Sequence, residues 1–321
     1  MTAHVLSVIA LPPSLREGLA RHYRLHGGAN QAPLDRGDPL LGQVQAVVTN
    51  GSTGFTGEQM DLLPRLRVIC SMGAGTENID VAAARARGIP VTHAPGANAA
   101  TVADHAIGMA LALARGYRPL TDRLAQGAAW TSLRALRPSL DQSRVGIIGM
   151  GRIGRLVAAR AAACGADIAY YTPGAKPDAP GVYCGDPLEL ARRSDFLFAC
   201  CPGGPRTRHL LNRDMFEALG PHGFVINVAR GSVLKTDDLL QALRRGTLGG
   251  AGLDVLDEEP DPPAALLAEL AAMENVLLTP HISGRSPAAT QAQLDIMLES
   301  LADGLAGRPP RFAVPGPNAP A

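Results

Sequence analysis

Three residues in the C-terminal half of the chain carry side chains suited to one reaction: Arg230, Glu259 and His281. Each follows its own apolar run of strand character, Gly223 to Asn227, Leu248 to Val255 and Val276 to Thr279. If these runs are parallel strands of one sheet, their C-terminal tips share an edge, and a guanidinium, a carboxylate and an imidazole collect there. That set suits reduction of a 2-oxo acid. The carbonyl oxygen gains negative charge as hydride arrives and needs a proton, which His281 can supply. Glu259 beside it would favour the imidazolium and orient the ring. Arg230 can bind the substrate carboxylate and polarise the carbonyl through its forked donors. Each residue alone has a plainer reading: a surface arginine, a loop acid next to Asp257 and Glu258, one of eight histidines. Their joint placement at strand tips outweighs it.

A hydride source is legible upstream. Val145 to Ile148 reads as a buried strand, followed by a glycine turn and a helix from about Arg152. Gly149, Gly151 and Gly154 fit G-x-G-x-x-G. The first glycine permits the tight turn, the second lets a pyrophosphate approach the backbone, and the third lets helix and strand pack closely. The helix N-terminus suits a diphosphate. A second strand, Asp167 to Tyr171, ends at Thr172, where NAD-selective sites place an acid on the ribose hydroxyls about 20 residues past the glycines. Thr172 can donate to a 2′-phosphate and Lys176 can neutralise it. NADP(H) is therefore the favoured cofactor, with NAD(H) as the alternative.

These tips need elements to hold them. Strands are expected at His4 to Ala10, Val44 to Thr49, Leu66 to Cys70, Pro90 to His93, Asp195 to Cys200 and the runs named above. Helices are expected at Pro13 to Tyr23, Gly57 to Leu63, Val81 to Arg87, Val102 to Tyr117, Thr236 to Arg244 and from Ser286 or Pro287 to about Gly304. Thr101 is expected to cap the long apolar helix, and Thr236 the later one. The apolarity of the long helix suggests burial between layers or at a subunit interface. Asp104 and His105, near its start, read as charges at a helix N-terminus rather than as catalytic groups. Pro95 to Ala100 looks like a hinge, Ala125 to Asp141 like a linker, and the tail from Pro309 is proline-rich and expected to be mobile. Alternation of strands and helices argues an α/β fold with parallel, doubly wound sheets. Ligands of such sheets sit beyond the strand tips, so Asn50 to Ser52, Ser71 to Thr76, the Cys201–Pro202 loop with Thr207, and Val228–Ala229 are candidate ligand contacts.

Composition narrows the class. At 321 residues the chain suits two domains. A net charge of +1 offers no basic footprint for nucleic acid. No apolar run reaches the ~20 residues of a membrane span, and no signal peptide is evident. Five scattered cysteines show neither metal spacing nor a disulfide framework, so no metal is expected and a reduced cytosol fits best.

The chain resembles the D-isomer-specific 2-hydroxyacid dehydrogenases, in the glyoxylate/hydroxypyruvate reductase-like branch, over nearly its whole length. The most specific residues are Asn227-Val-Ala-Arg-Gly-Ser232, Gly252-Leu-Asp-Val255 with Glu259-Pro260, and Thr279-Pro-His-Ile-Ser-Gly284. Gly149-Met-Gly-Arg-Ile-Gly154 and Gly96-Ala-Asn-Ala-Ala-Thr-Val-Ala-Asp104 support them. The resemblance implies Arg230 as the substrate-binding arginine, Glu259 as the carboxylate tuning the histidine, and His281 as acid/base. It implies substrate carboxylate binding through the backbone N–H groups of Ala74 and Gly75, with Asn50 beside the substrate. Asp254 would lie near the nicotinamide, and Arg152 and Ile153 at the pyrophosphate. Cys201, Pro202, Thr207, Val228, Ala229 and Gly284 complete the expected cofactor contacts. Two departures stand out: Asp104 where the family often has Glu, and Thr172 in place of the NAD-selecting acid.

The implied architecture is a Rossmann dinucleotide-binding domain, 100–284, inserted into a flavodoxin-like substrate domain, 1–99 and 285–321. The active site would lie in the cleft, and domain closure would exclude water. The implied assembly is a homodimer through the nucleotide domains. A formate dehydrogenase-like variant is disfavoured by Glu259, because that variant carries Gln there. A phosphoglycerate dehydrogenase with a regulatory domain is disfavoured because the chain ends soon after the last helix. A dinucleotide-sensing co-repressor of the same fold retains the three residues and is told apart by turnover.

Overall fold

The computed structural model describes residues 2–27 and 35–315. The chain divides into two compact units, Met1–Asn98 with Arg285–Ala321, and Ala99–Gly284. Both are built on wholly parallel sheets with helices on each face.

The first unit contains β1 (His4–Ser7), α1 (Pro13–Ala20), β2 (Arg24–Gly27), β3 (Val44–Thr49), α2 (Gly57–Asp61), β4 (Val68–Ser71), α3 (Val81–Ala86) and β5 (Val91–Thr92). Its strands lie in the order β2-β1-β3-β4-β5, the flavodoxin-like winding. Apolar, β-branched strands such as Val44–Thr49 are buried along most of their length, as parallel strands covered on both faces must be. Met60 and Ala84 pack on one face of the sheet, and Leu19 on the other.

The second unit begins with α4 (Ala99–Arg115) and α5 (Tyr117–Ala125). It continues through β6 (Arg144–Ile148), α6 (Arg152–Ala163), β7 (Asp167–Tyr171), β8 (Val182–Cys184), α7 (Pro187–Arg192), β9 (Phe196–Ala199), α8 (Arg213–Leu219), β10 (Phe224–Asn227), α9 (Thr236–Arg245), β11 (Gly250–Leu253), α10 (Ala264–Ala272) and β12 (Val276–Leu278). Its strand order, β12-β11-β10-β9-β6-β7-β8, is the Rossmann winding with one further strand. The order reverses between β6 and β9, and that is where such sheets bind ligands. Helices α4 and α6 pack one face, and α7 to α10 the other. The closing helix of the chain, α11 (Pro287–Ala306), belongs to the first unit, where Met297 and Leu301 join the core with Leu19.

Several sequence expectations are corrected. Thr101 lies inside α4, which begins at Ala99. Thr236 lies inside α9, whose cap position is Lys235; its hydroxyl reaches Glu258 Oε2 at 3.4 Å instead. Burial of α4 between layers, the first of the two expectations for its apolarity, is what the fold shows: it packs on α6 and on the β10–β12 side of the sheet. Asp104 does not act on the helix terminus; it pairs with Arg160 on α6 at 2.7 Å. The proline-rich tail is tied down as far as it is described: Val314 N–H donates to Val91 O, and His93 N–H to Phe312 O. Residues 316–321 of that tail lie outside the described residues. Unanticipated elements are β2, α5, β8, α7, α8 and α10.

Candidate active site

The glycine turn after β6 has the geometry its sequence calls for. Gly149 sits at φ +96°, where side chains are disfavoured, and a Cβ there would stand 2.6 Å from Cys201 Cα. The β6 and β9 loops therefore touch through Gly149. A Cβ on Gly154 would overlap the Gly149 carbonyl oxygen, so helix and turn meet only because it is glycine. Gly151 is different: nothing lies within 4 Å of where its Cβ would be. It opens α6, whose N-terminus takes no side-chain cap, so open space lies beside a helix start whose first N–H groups have no side-chain partner. Such a helix start suits a diphosphate. Arg152 is exposed at this turn, Ile153 half-buried, and Val228 and Ala229 are buried at the tip of β10.

Past β7, Thr172 is buried and its hydroxyl donates to Gly174 O at 2.6 Å. That proton is committed to shaping the loop rather than presented outward. Lys176 is exposed, and its backbone N–H donates to Tyr170 OH at 3.1 Å. Arg155 of α6 holds the same loop through the carbonyls of Asp178 and Pro177, at 2.7 and 3.1 Å. Thr207 turns its hydroxyl back to Pro202 O at 2.7 Å, closing the loop after β9; the cap of α8 is Asn212. Cys201 is buried, and burial pushes its thiol up to about 11.

Arg230, Glu259 and His281 follow β10, β11 and β12, neighbouring parallel strands of one sheet. Buried Asn227 folds the first tip. Its Nδ2 donates to Arg230 O and its Oδ1 accepts from Ala229 N, both at 3.1 Å. A Cβ on Gly231 would overlap the Leu256 carbonyl group, so glycine lets the Arg230 turn abut the loop that carries Glu259. The carboxylate of Glu259 is fixed at both oxygens. Oε1 accepts from Leu256 N at 3.1 Å, and Oε2 accepts from His281 Nδ1 at 2.7 Å. A carboxylate only accepts, so Nδ1 bears hydrogen and Nε2 is left as the atom that gives or takes a proton. The hydrogen bond donated to Glu259 raises the His281 pKa. Burial opposes it, the charges of Glu259 and Asp254 add to it, and Arg230 lowers it.

His281 itself sits at φ +51°. Its segment is pinned by Asp254, whose side chain is fully buried. This carboxylate accepts from Thr279 Oγ1 at 2.6 Å and from Ile282 and Ser283 N–H, both at 2.9 Å, while the Asp254 carbonyl accepts from His281 N–H at 2.9 Å. Thr279 spends its proton on Asp254, so His105 Nε2, 3.1 Å away, must donate to the Thr279 hydroxyl. A chain His105–Thr279–Asp254 thus runs from α4 to the acid–base segment. The expectation that His105 serves as a charge at the helix N-terminus is corrected: it lies six residues inside α4, in a largely buried helix where a polar ring needs a partner, and Thr279 is that partner. Gly284, half-buried, ends this segment.

In the first unit, Asn50 follows β3 and its Oδ1 accepts from Thr53 N at 2.7 Å. Ala74 and Gly75 follow β4. Their carbonyls are taken by His93 Nδ1 at 3.0 Å and Ser71 Oγ at 2.8 Å. Their N–H groups donate to nothing among the described residues, leaving two adjacent donors at the strand tip. No group of three or more His, Cys, Asp or Glu able to hold a metal ion occurs among the described residues. Likewise no described helix is long and apolar enough to cross a membrane.

The family described as D-isomer specific 2-hydroxyacid dehydrogenase, NAD binding domain, matches residues 107–283. A hydroxyphenylpyruvate reductase from Plectranthus scutellarioides is 37% identical over 83% of this chain and 84% of its own length. A 2-ketogluconate reductase from Gluconobacter oxydans is 32% identical over 92% and 94%. Among solved structures, the NADPH-dependent glyoxylate/hydroxypyruvate reductase of Sinorhizobium meliloti, in complex with NADP and malonate, superposes with a TM-score of 0.85. It is 31% identical and covers 98% of this chain and 97% of its own.

Proposed function

The chain belongs to the D-isomer-specific 2-hydroxyacid dehydrogenases, which are NAD(P)-dependent oxidoreductases, and from that premise we propose that it reduces a small 2-oxo acid to the D-2-hydroxy acid with NADPH. The observation that carries the reading is the 2.7 Å pair between His281 Nδ1 and Glu259, which leaves Nε2 as the proton-bearing atom on the same sheet edge as the glycine cradle. The residues fit a dinucleotide: Gly151 leaves space for the pyrophosphate, and the N-terminus of α6 supplies N–H groups. Bound there, the reduced nicotinamide supplies the hydride.

The chain's own residues do the rest. His281 gives its Nε2 proton to the carbonyl oxygen as negative charge builds on it. Glu259 holds the imidazolium in place and stabilises it. Arg230 binds the carboxylate and polarises the carbonyl, and the paired N–H groups of Ala74 and Gly75 suit a carboxylate oxygen. Asp254 holds the segment that presents His281. The second unit is the dinucleotide-binding domain in this reading, and the first is the substrate domain. The relatives named above support a substrate of the glyoxylate, hydroxypyruvate or 2-ketogluconate type. The strand end after β7 bears no acid that would repel a 2′-phosphate, and Lys176 stands exposed beside it, which supports NADPH over NADH. Five free cysteines suit a reducing cytosol.

The deciding experiment follows oxidation of NADPH and of NADH with glyoxylate, hydroxypyruvate, 2-ketogluconate and an aryl pyruvate. Turnover faster with NADPH, on one of the first three, is the expected result. Tight dinucleotide binding without turnover on any of them would overturn the reductase in favour of a dinucleotide sensor.

A further inference from the structure

We propose that His209 is a positioning residue for this reaction: it ties the turn carrying Arg230 to the loop carrying Glu259, and so sets the Glu259–His281 pair. The inference rests on the hydride-transfer reading above and adds a residue to it. His209 ends the loop that follows β9. Its backbone N–H donates to Ser232 O at 2.8 Å, two residues past Arg230. The next residues extend the clasp: Leu211 N–H donates to Val233 O, and Lys235 N–H to Leu211 O, both at 2.9 Å. On its other side the ring of His209 reaches Asp257 Oδ2 through Nε2 at 2.9 Å. Asp257 lies two residues before Glu259, in a loop so short that Leu256 N–H is capped by Glu259 itself. Arg208 places its guanidinium 3.6 Å from the same Asp257 oxygen.

One residue therefore holds both catalytic loops, by its backbone on one side and its ring on the other. Its backbone is held at φ +52°, a conformation that residues other than glycine rarely adopt. Such strain persists only where surrounding contacts over-determine it. The close approach of Gly231 to Leu256 brings the same two loops together without fixing their register. The His209–Asp257 bond adds direction, since it acts along the loop toward Glu259. Loss of that bond lets Glu259 shift against His281, and misplacements of about 1 Å at a reacting group cost on the order of 10²-fold in rate.

The test uses the full-length protein and three variants, His209→Ala, His209→Gln and Asp257→Asn. The readouts are steady-state reduction of the best 2-oxo acid across pH, NADPH affinity and melting temperature. Glutamine places an amide N–H close to where imidazole Nε2–H stands, so it can keep the bond. His209→Ala and Asp257→Asn should lower kcat about 10- to 100-fold. They should also move the basic limb of the pH profile to lower pH, because His281 then faces Asp254 and Arg230 with a weakened Glu259 contact. His209→Gln should restore both within about threefold, and NADPH affinity should stay unchanged in all three. A wild-type rate and pH limb in His209→Ala would overturn the proposal, as would a His209→Gln variant as impaired as His209→Ala. If His209→Ala does not fold, the Gln and Asn variants decide on the same readouts. His281→Gln is assayed alongside: full activity there removes the hydride-transfer reading itself, whereas an inactive His281→Gln beside a normal His209→Ala removes only the role of His209.

Discussion

At the scale of single residues the chemistry depends on one imidazole held by one carboxylate. Reduction needs His281 protonated, and its raised pKa means that this form persists to higher pH than for a free imidazole. Activity in the reductive direction should be full below that pKa and fall as pH rises through it. Glu259→Gln removes the largest contribution, the charge-assisted hydrogen bond, together with the nearby negative charge. Burial and Arg230 still lower the pKa, so the basic limb must move to lower pH, with kcat down ~10- to 10³-fold. An unshifted limb, measured from kcat/KM against pH, would remove Glu259 from this role. His281→Gln should cost ~10²–10⁴-fold in turnover while dinucleotide binding is kept. Lys176 tests the cofactor at the same scale. Reversing its charge in Lys176→Glu should weaken NADPH about 10-fold or more and leave NADH nearly untouched, because only the 2′-phosphate carries charge to that position. Titration of both reduced cofactors by fluorescence gives the ratio directly; an unchanged ratio discards Lys176. Thr172 is the poorer probe, since its hydroxyl is engaged with Gly174 and an acid there would disturb the loop as well.

At the scale of elements, the second and third glycines of the turn should separate cofactor binding from folding. Gly154→Ala pushes a methyl group into the Gly149 carbonyl, a backbone atom that cannot swing aside. Overpacking of that kind costs about 1–3 kcal/mol, so this variant should melt early and bind dinucleotide poorly as a consequence. Gly151→Ala meets nothing in the protein, so its melting temperature should match the wild type while its NADPH dissociation constant rises at least about 10-fold. Calorimetry with a binding titration distinguishes the two; normal binding in Gly151→Ala would remove the cradle. The turn was legible in the sequence because glycine spacing, an apolar strand and an alanine-rich helix agree. The strand tips bearing Arg230, Glu259 and His281 were legible for a similar reason, since each follows a buried apolar run. What escaped was short or marginal. Edge strands β2 and β8 are brief and half exposed, so no alternation marks them. Helices α7, α8 and α10 did leave signals: Asp186 before Pro187, Asn212 as a cap, and Pro263 before an alanine–leucine run. The loop from Cys201 to Thr207 is legible from its proline and glycines, but His209, two residues beyond it, takes its meaning from contacts far along the chain. Hydrogen bonds such as His105 to Thr279 join residues no local pattern connects.

At the scale of the whole molecule, one stretch is unlike the rest of the second unit. Helix α5 buries none of its residues, although helices of that length gain most of their stability from a packed apolar face. Around it, Tyr117 is 57% exposed, Trp130 69% and Leu136 102%, with Leu124 at 38%. These are four of the seven exposed large hydrophobic side chains among the described residues, gathered within twenty positions of the chain. Apolar surface concentrated in this way is a mark of an interface, and a twofold homodimer is the commonest way to cover it. The protein should therefore sediment at twice the mass of one chain. Trp130→Glu with Leu136→Glu should shift it toward the monomer, because each places a charge where apolar contact is lost, at about 1.5–3 kcal/mol per large side chain. Neither position lies within the core of its unit, so the monomeric variant should keep its melting transition for the Rossmann sheet and its affinity for NADPH. A wild-type chain that sediments as a monomer at every concentration would leave α5 as a helix open to solvent. Dimerisation undiminished in the double variant would move the interface elsewhere. A monomer that binds NADPH normally but has lost turnover would mean that the site is completed only in the assembly.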